Sequence, residues 1–188
     1  MSPNAALIAA ALLLTVAVAP IRAETPSDRQ QLAATGRCPD CDLIGADLSG
    51  QALQRVDLAG ADLRSSDLGG ANLNDAALSA ADLSWSQGQG ARLRRSNLSQ
   101  ARLYRADFSS ADFSRARLGE ANLGAANLSG ATLAEADLRG AFMARAILTG
   151  ADLAGASLTD ALIQPAQLRR ARLCDTTLPN GRKSDRDC

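Results

Sequence analysis

The chain has 188 residues, enough for one domain, and its 20 basic and 20 acidic residues cancel. That balance excludes recruitment of nucleic acid or acidic lipid by a global field. Aromatics make up only 3%, Lys183 is the sole lysine and His is absent, so the usual general base near neutral pH is missing.

The N-terminal run Ala5 to Ala19 is apolar apart from Thr15, and Pro20 ends it. About 15 apolar residues is short for a membrane span, which needs roughly 20, but suits the core of a signal peptide. Ile21-Arg22-Ala23 supplies a small residue before cleavage at Glu24, although Ser2-Pro3-Asn4 carries no basic residue. Residues 1–23 are therefore read as a signal peptide, with an uncleaved anchor as the alternative. The reading implies export to a periplasm, a comparable lumen or the extracellular space, with no membrane span in the mature chain.

Residues 24–40 read as an N-terminal cap. Ser27-Asp28-Arg29-Gln30 has the capping-box pattern, and Gly36 stands where a helix stop falls. The spacing predicts a short helix over 28–35 that covers the start of the segment beyond it. Cys38-Pro39-Asp40-Cys41 then shows C-x-x-C spacing, which fits either a redox-active pair or a structural staple. It leads into neither a helix nor a βαβ pattern, which favours the staple.

From Cys41 the chain reads CDLIG, ADLSG, QALQR, VDLAG and onward with a period of five to Asn180, 28 pentapeptides in phase. The central residue is Leu in 23 of them, Phe at 108 and 113, Met at 143, Ile at 163 and Gly at 88. Two residues earlier, 21 of the 28 are Ala. Neither a helix, with 3.6 residues per turn, nor a flat strand, with a period of 2, has this repeat.

The pattern resembles the pentapeptide-repeat family, with consensus A-(D/N)-L-x-x, over about three quarters of the chain. The resemblance implies an all-β fold, a right-handed quadrilateral β-helix with four pentapeptides to a coil and about seven coils over residues 41–180. It implies that the central Leu and preceding Ala point inward and the other three positions face water. Residues 181–188 remain as a C-terminal tail.

On that fold Cys41 lies in the first coil and Cys174 in the seventh, six steps of about 4.8 Å apart. This far exceeds the ~7 Å Cα separation a disulfide spans. The implied pairs are Cys38–Cys41 and Cys174–Cys188, one at each end, and an intramolecular four-cysteine zinc site is excluded. Both the opening CPDCDL and the tail from Cys174 to Gly181 resemble those of exported pentapeptide proteins. Gly88 leaves a hole in the Leu column, and the residue one coil on is Phe108, so the two are read as a compensated small/large pair.

Residues 38–90 set eight Asp against Arg55 and Arg64, whereas residues 91–117 set seven Arg against Asp107 and Asp112. At this arginine belt fall the single Trp and Tyr. With four pentapeptides to a coil, Trp85 and Tyr104 share a face and Arg105 stacks over Trp85. Trp, Tyr and Arg are enriched at binding hot spots. Trp85, Tyr104, Arg102 and Arg105, with Arg92, Arg94 and Arg95 of the belt, are therefore the candidate partner-binding residues. A self-satisfied cation–π pair is the plainer alternative. Phe142, Ile147 and Leu162 occupy outward positions where Asp or Asn is usual, which implies a covered apolar surface, either a homodimer contact or packing of the tail.

These features support a non-enzymatic exported scaffold presenting a rigid solenoid surface to a protein partner or a second copy. It has no cofactor, no metal, no catalytic residue and no nucleic-acid partner. The alternatives are a cytoplasmic DNA-mimicking, gyrase-binding protein, which the resemblance brings with it, and a thiol-redox protein using the CPDC pair. The export signal, basic belt and neutral charge oppose the first.

Overall fold

A computed structural model describes residues 27–188, so the apolar segment read as a signal peptide lies outside the described residues. Helix α1 runs Asp28–Thr35. Its capping box is complete: the Ser27 hydroxyl accepts from the Gln30 backbone N–H, and the Gln30 side chain accepts from the Ser27 N–H. Gly36, with φ of 65°, closes the helix in the left-handed region. Leu32 is its buried residue and seats α1 on the first coil. Asp28 also accepts from the Asp42 N–H at 2.6 Å, tying the cap to the first repeat.

Beyond α1 the chain winds into a β-helix whose register is four pentapeptides. Parallel bridges join Asp42 to Asp62, Asp62 to Asp82 and Asp82 to Arg102, and the same step recurs on all four faces. Each face is too short for a strand, so each pentapeptide contributes one bridging residue between turns. The ladder is regular: Leu43 N–H donates to the Asp62 carbonyl, and Asp62 N–H to the Cys41 carbonyl.

The core follows the pentapeptide's third and first positions. Leu58 through Leu158 are almost wholly buried, with Ala filling the corners between them. Burying one Leu contributes roughly 1.5–3 kcal/mol, and each coil shares that gain only with its neighbours. Ser66, Ser86 and Ser96 replace Ala at corners, and each hydroxyl donates to the carbonyl three residues back, at 2.6–2.7 Å. No buried side-chain polar atom among the described residues lacks a partner.

The second position does more than face water. Every Asp and Asn there from Asp42 to Asp152 accepts from the backbone N–H two residues on, as Asp82 does from Ser84 at 3.0 Å. This closes the turn that carries the fourth and fifth residues. The fifth position has positive φ without exception from Gly45 to Asp160, and glycine fills nine of these corners.

The structure corrects two expectations. The repeat is unbroken in sequence, but the coil is not. Gln164–Pro165 cannot make the standard turn, because the proline ring fixes φ at about −65° where a positive φ is required. The chain instead forms a 3-10 helix, Pro165–Arg170. Gln167 makes no bridge to residue 147. Its amide donates to the carbonyls of Met143 and Ala146 instead. Leu168 still reaches the core.

The C-terminal tail does not lie over Phe142, Ile147 and Leu162, which stay exposed. It turns back at the solenoid's end, where strand β1 (Thr176–Thr177) pairs antiparallel with β2 (Lys183–Ser184). Arg186 donates to the Leu168 and Ala171 carbonyls, and Asp187 accepts from the Leu173 N–H.

Candidate interaction surface

The bridge register sorts the exposed residues onto faces. Trp85, Tyr104, Arg102 and Arg105 share one face, as do Ile44, Phe142 and Leu162. Arg92, Arg94 and Arg95 belong to the pentapeptide two faces away, on the opposite side of the square. The belt expected from sequence therefore does not form a single patch. Ile147 lies on the adjoining face.

At the centre of the aromatic face, the Trp85 and Tyr104 rings meet edge to face with centroids 6.0 Å apart. The Arg105 guanidinium sits 4.7 Å from the Trp85 centroid and 5.5 Å from that of Tyr104. Trp85 occupies a fifth position with φ of 64°, yet its side chain is half exposed. A bulky residue in the left-handed region costs about 1–2 kcal/mol. Fourteen other non-glycine residues between Arg55 and Asp160 hold the same corner with positive φ, so the conformation belongs to the turn and Trp85 accepts it as they do.

Gly124 stands between Tyr104 and the next aromatic. A methyl group there would lie 3.0 Å from Phe142 Cε1 and 3.2 Å from Tyr104 Cδ2, so the missing side chain lets both rings lean over one spot. Trp85, Tyr104, Phe142 and Leu162 thus form an apolar ridge along the axis.

Most belt arginines are paired. Arg102 meets Asp82 at 3.2 Å, Arg95 meets Asp75 at 2.7 Å, Arg115 meets Glu135 at 2.9 Å and Arg94 reaches Asp112 at 3.8 Å. The partners lie one coil up or down, so the ion pairs run along the axis. The Arg95 side chain bonds to Asp75 and holds its carboxyl below the usual range. At Asp107 burial pushes the carboxyl up, but bonds from Ser109, Gln89 and Asn127 outweigh it and leave it lowered. These carboxylates are fixed as acceptors, with no proton to give near neutral pH.

Cys38 and Cys41 are joined with Cα atoms 5.4 Å apart, and Cys174 and Cys188 with Cα atoms 4.7 Å apart. Cys38 is fully buried and Cys41 nearly so. A depression of about 520 Å³ forms an open groove on the face of Gln100, Glu120 and Arg139. Gly119 and Gly140 are among the residues that line it. No helix among the described residues is long and apolar enough to cross a membrane.

Sequence reasoning missed Gly124, whose role appears only once the rings either side of it are placed, and Ile44, an exposed residue at the foot of the same face. The spacing of one coil could have put Ile44 on this face.

Comparisons with known proteins point to one family. The solved structure of HetL, a pentapeptide repeat protein involved in heterocyst differentiation regulation from the cyanobacterium Nostoc, is 25% identical. It covers 83% of this chain and 97% of its own, with a TM-score of 0.49. QnrB1, a plasmid-mediated fluoroquinolone resistance protein, is 24% identical over 80% of this chain and 75% of its own, with a TM-score of 0.60. A pentapeptide repeat protein from the Arabidopsis thaliana thylakoid lumen is 29% identical over 73% and 75%, with a TM-score of 0.42. No curated protein matches. The family profile described as pentapeptide repeats matches eight copies, over residues 41–79, 57–87, 89–124 and 126–164. With more than half its length so matched, the chain belongs to the pentapeptide-repeat family.

Proposed function

We propose that this protein is a non-enzymatic, exported scaffold, stapled at both ends by disulfides, that presents the Trp85–Leu162 ridge to a protein. The observation that carries this reading is Trp85: half exposed, and braced by Tyr104 and Arg105. Aromatics with an arginine on a rigid support are what protein hot spots use. The packed core and the engaged carboxylates support a binding role over catalysis. Burial of Cys38 and Cys41 opposes thiol exchange, which needs an accessible sulfur. Arginines neutralised by neighbouring aspartates offer little to a phosphate backbone.

Expression with the native N-terminus, cell fractionation and a non-reduced peptide map test the export half. An exported species starting at Glu24 with Cys38–Cys41 and Cys174–Cys188 linked is expected; a cytoplasmic full-length chain with four free thiols overturns it. A photo-crosslinker at position 104 tests the other half, with position 94 on the opposite face as control. A discrete protein adduct at 104 alone is expected, and equal labelling at both positions overturns the assignment.

A further inference from the structure

Ile147 is the one large exposed apolar residue that the aromatic face leaves out, and it stands beside a break in the backbone ladder. From Leu43 to Asp160 the N–H groups of third and fifth positions donate to carbonyls of the next coil, as Leu128 does to Ile147 and Leu133 to Asp152. Two do not. The N–H groups of Arg145 and Leu148 find no acceptor among the described residues, and Gly150 pairs one residue out of register, with Arg170.

Pro165 makes the break. The carbonyls that Arg145 and Leu148 would meet in a regular coil belong to Gln164 and Gln167, where the 3-10 helix starts. The Gln164 carbonyl accepts instead from the Gln167 N–H at 3.0 Å. Ala166 is turned out to solvent, whereas every other alanine at a first position of the solenoid is buried. Between this helix and the coil below it lies an open cleft of about 240 Å³, bordered by Ala146, Ile147, Leu148, Ala166, Arg169 and Arg170. We propose that the cleft binds the carboxyl terminus of a partner protein that ends in an aliphatic residue. It lies on the face adjoining the Trp85–Leu162 ridge and does not depend on the reading of that ridge.

Charge selects the class of ligand. Arg169 and Arg170 both border the cleft and are exposed, and neither pairs with an acid among the described residues. This sets them apart from Arg95, Arg102 and Arg115, whose charges are met one coil away. No carboxylate of the described residues lines the cleft. Leu148 is buried, and an N–H left there without an acceptor is costly until an oxygen meets it. A carboxylate supplies two oxygens, one for that N–H and one for a guanidinium, both in charge-assisted bonds.

Shape selects a chain end. The apolar wall of Ala146 and Ile147 stands beside these donors, so an aliphatic side chain next to the carboxylate has a surface to cover. At about 240 Å³ the cleft is smaller than the ~300–1,000 Å³ that encloses a drug-sized ligand, so it holds a residue or two and not a peptide running through. A free phosphate would meet the arginines but leave Ile147 uncovered. The Arg145 N–H lies outside the residues that border the cleft and takes no part.

Amide NMR of the nitrogen-15-labelled, disulfide-bonded protein tests this, with acetyl-Ala-Leu as the probe and its C-terminal amide as the control. The free carboxylate is expected to move the Leu148 amide resonance saturably, with a Kd on the order of 1 mM for so small a ligand. The amide control is expected to bind at least about tenfold more weakly. Replacing Arg169 and Arg170 together with Gln is expected to weaken the carboxylate by at least about tenfold, with the thermal melt unchanged. Ile147→Asp installs the residue usual at that column, so it keeps the melt and is expected to abolish binding. Hydrogen exchange of the free protein reads the donor separately: Leu148 is expected to exchange faster than Leu128 and Leu158. Equal protection of the three, a Leu148 resonance that does not move, or equal affinity for carboxylate and amide each overturns the proposal. Acetate or inorganic phosphate binding as tightly as the peptide also overturns it, because the site would then take a small anion and no chain end.

Discussion

Phe108 fills the hole that Gly88 leaves one coil below it. A methyl group built on Gly88 would overlap the Phe108 ring, which is fully buried and packs against Phe113 with centroids 5.5 Å apart. Neither residue fits the column alone, but together they restore its volume. Phe108→Leu is expected to open a cavity and destabilise by about 1–3 kcal/mol. Gly88→Leu alone forces a clash and costs at least as much. The double variant rebuilds two regular rungs and is expected to recover most of the loss. Urea denaturation of the four proteins reads the non-additivity directly, and additive losses would break the pairing.

The second-position carboxylates close turns, so their loss is felt in the backbone. Asp107 accepts from the Ser109 N–H at 3.0 Å and from Gln89 and Asn127. Asp107→Ala is expected to cost about 1–2 kcal/mol, whereas Asp107→Asn, which keeps the turn acceptor, is expected to cost less than half of that. Equal losses in thermal melts would mean the charge, not the turn, was what mattered.

Stability should be indifferent to pH until the carboxylates titrate. Hydrogen bonds from the Arg139 side chain hold Asp137 below its ordinary value, and Asp62 is lowered in the same way by Arg64. A depressed folded-state pKa contributes stability that is present above the unfolded value of about 3.9 and is lost as pH falls through the folded one. With no His in the chain, no side chain titrates between about pH 5.5 and 7.5. The melting temperature is expected to be flat from about pH 7.5 to 5 and to fall steadily below about 4. A step near pH 6 in melts followed by circular dichroism would contradict this.

The two disulfides should differ in weight. Cys174–Cys188 closes a sequence separation of 14 and holds the tail, whereas Cys38–Cys41 closes one of only 3. Chain-entropy reasoning assigns the longer loop about 3 kcal/mol and the shorter one less. Replacing Cys174 and Cys188 with Ser is therefore expected to lower the melting temperature more than replacing Cys38 and Cys41. The reverse order would place the weak point at the N-terminal end.

Trp85→Gly is expected to relieve backbone strain while removing the exposed ring. Stability should change by less than about 1 kcal/mol, and association through the ridge should drop at least about tenfold. Unchanged association in the same titration would show the ring to be ornament.

Most of the fold is legible because the repeat states it twice. The Leu at the third position of each pentapeptide gives the core, and the α1 cap is written in Ser27, Gln30 and Gly36. What escapes a sequence reading is geometry local to one position. Pro165 sits at a corner that demands positive φ, but nothing in the count of repeats reveals that demand until the other corners are seen. Charge summed along the chain suggests one arginine patch. Pairing instead runs across coils, so Arg95 and Asp75 neutralise each other from segments that the sum keeps apart. The Asp column has the composition of a solvated face, whereas its oxygens are committed to the backbone.

A register of four pentapeptides makes the molecule countable. Removing one pentapeptide between Trp85 and Leu162 would carry every later residue a quarter-turn around the axis, moving Leu162 off the ridge and dissolving the ion pairs that bridge the cut. Removing four would shorten the rod by one rung, about 4.8 Å, and leave each face in phase. Length can therefore change only in whole rungs, and a lineage of such chains would grow or shrink as a ladder does, with the pattern of a face inherited intact or lost at a stroke.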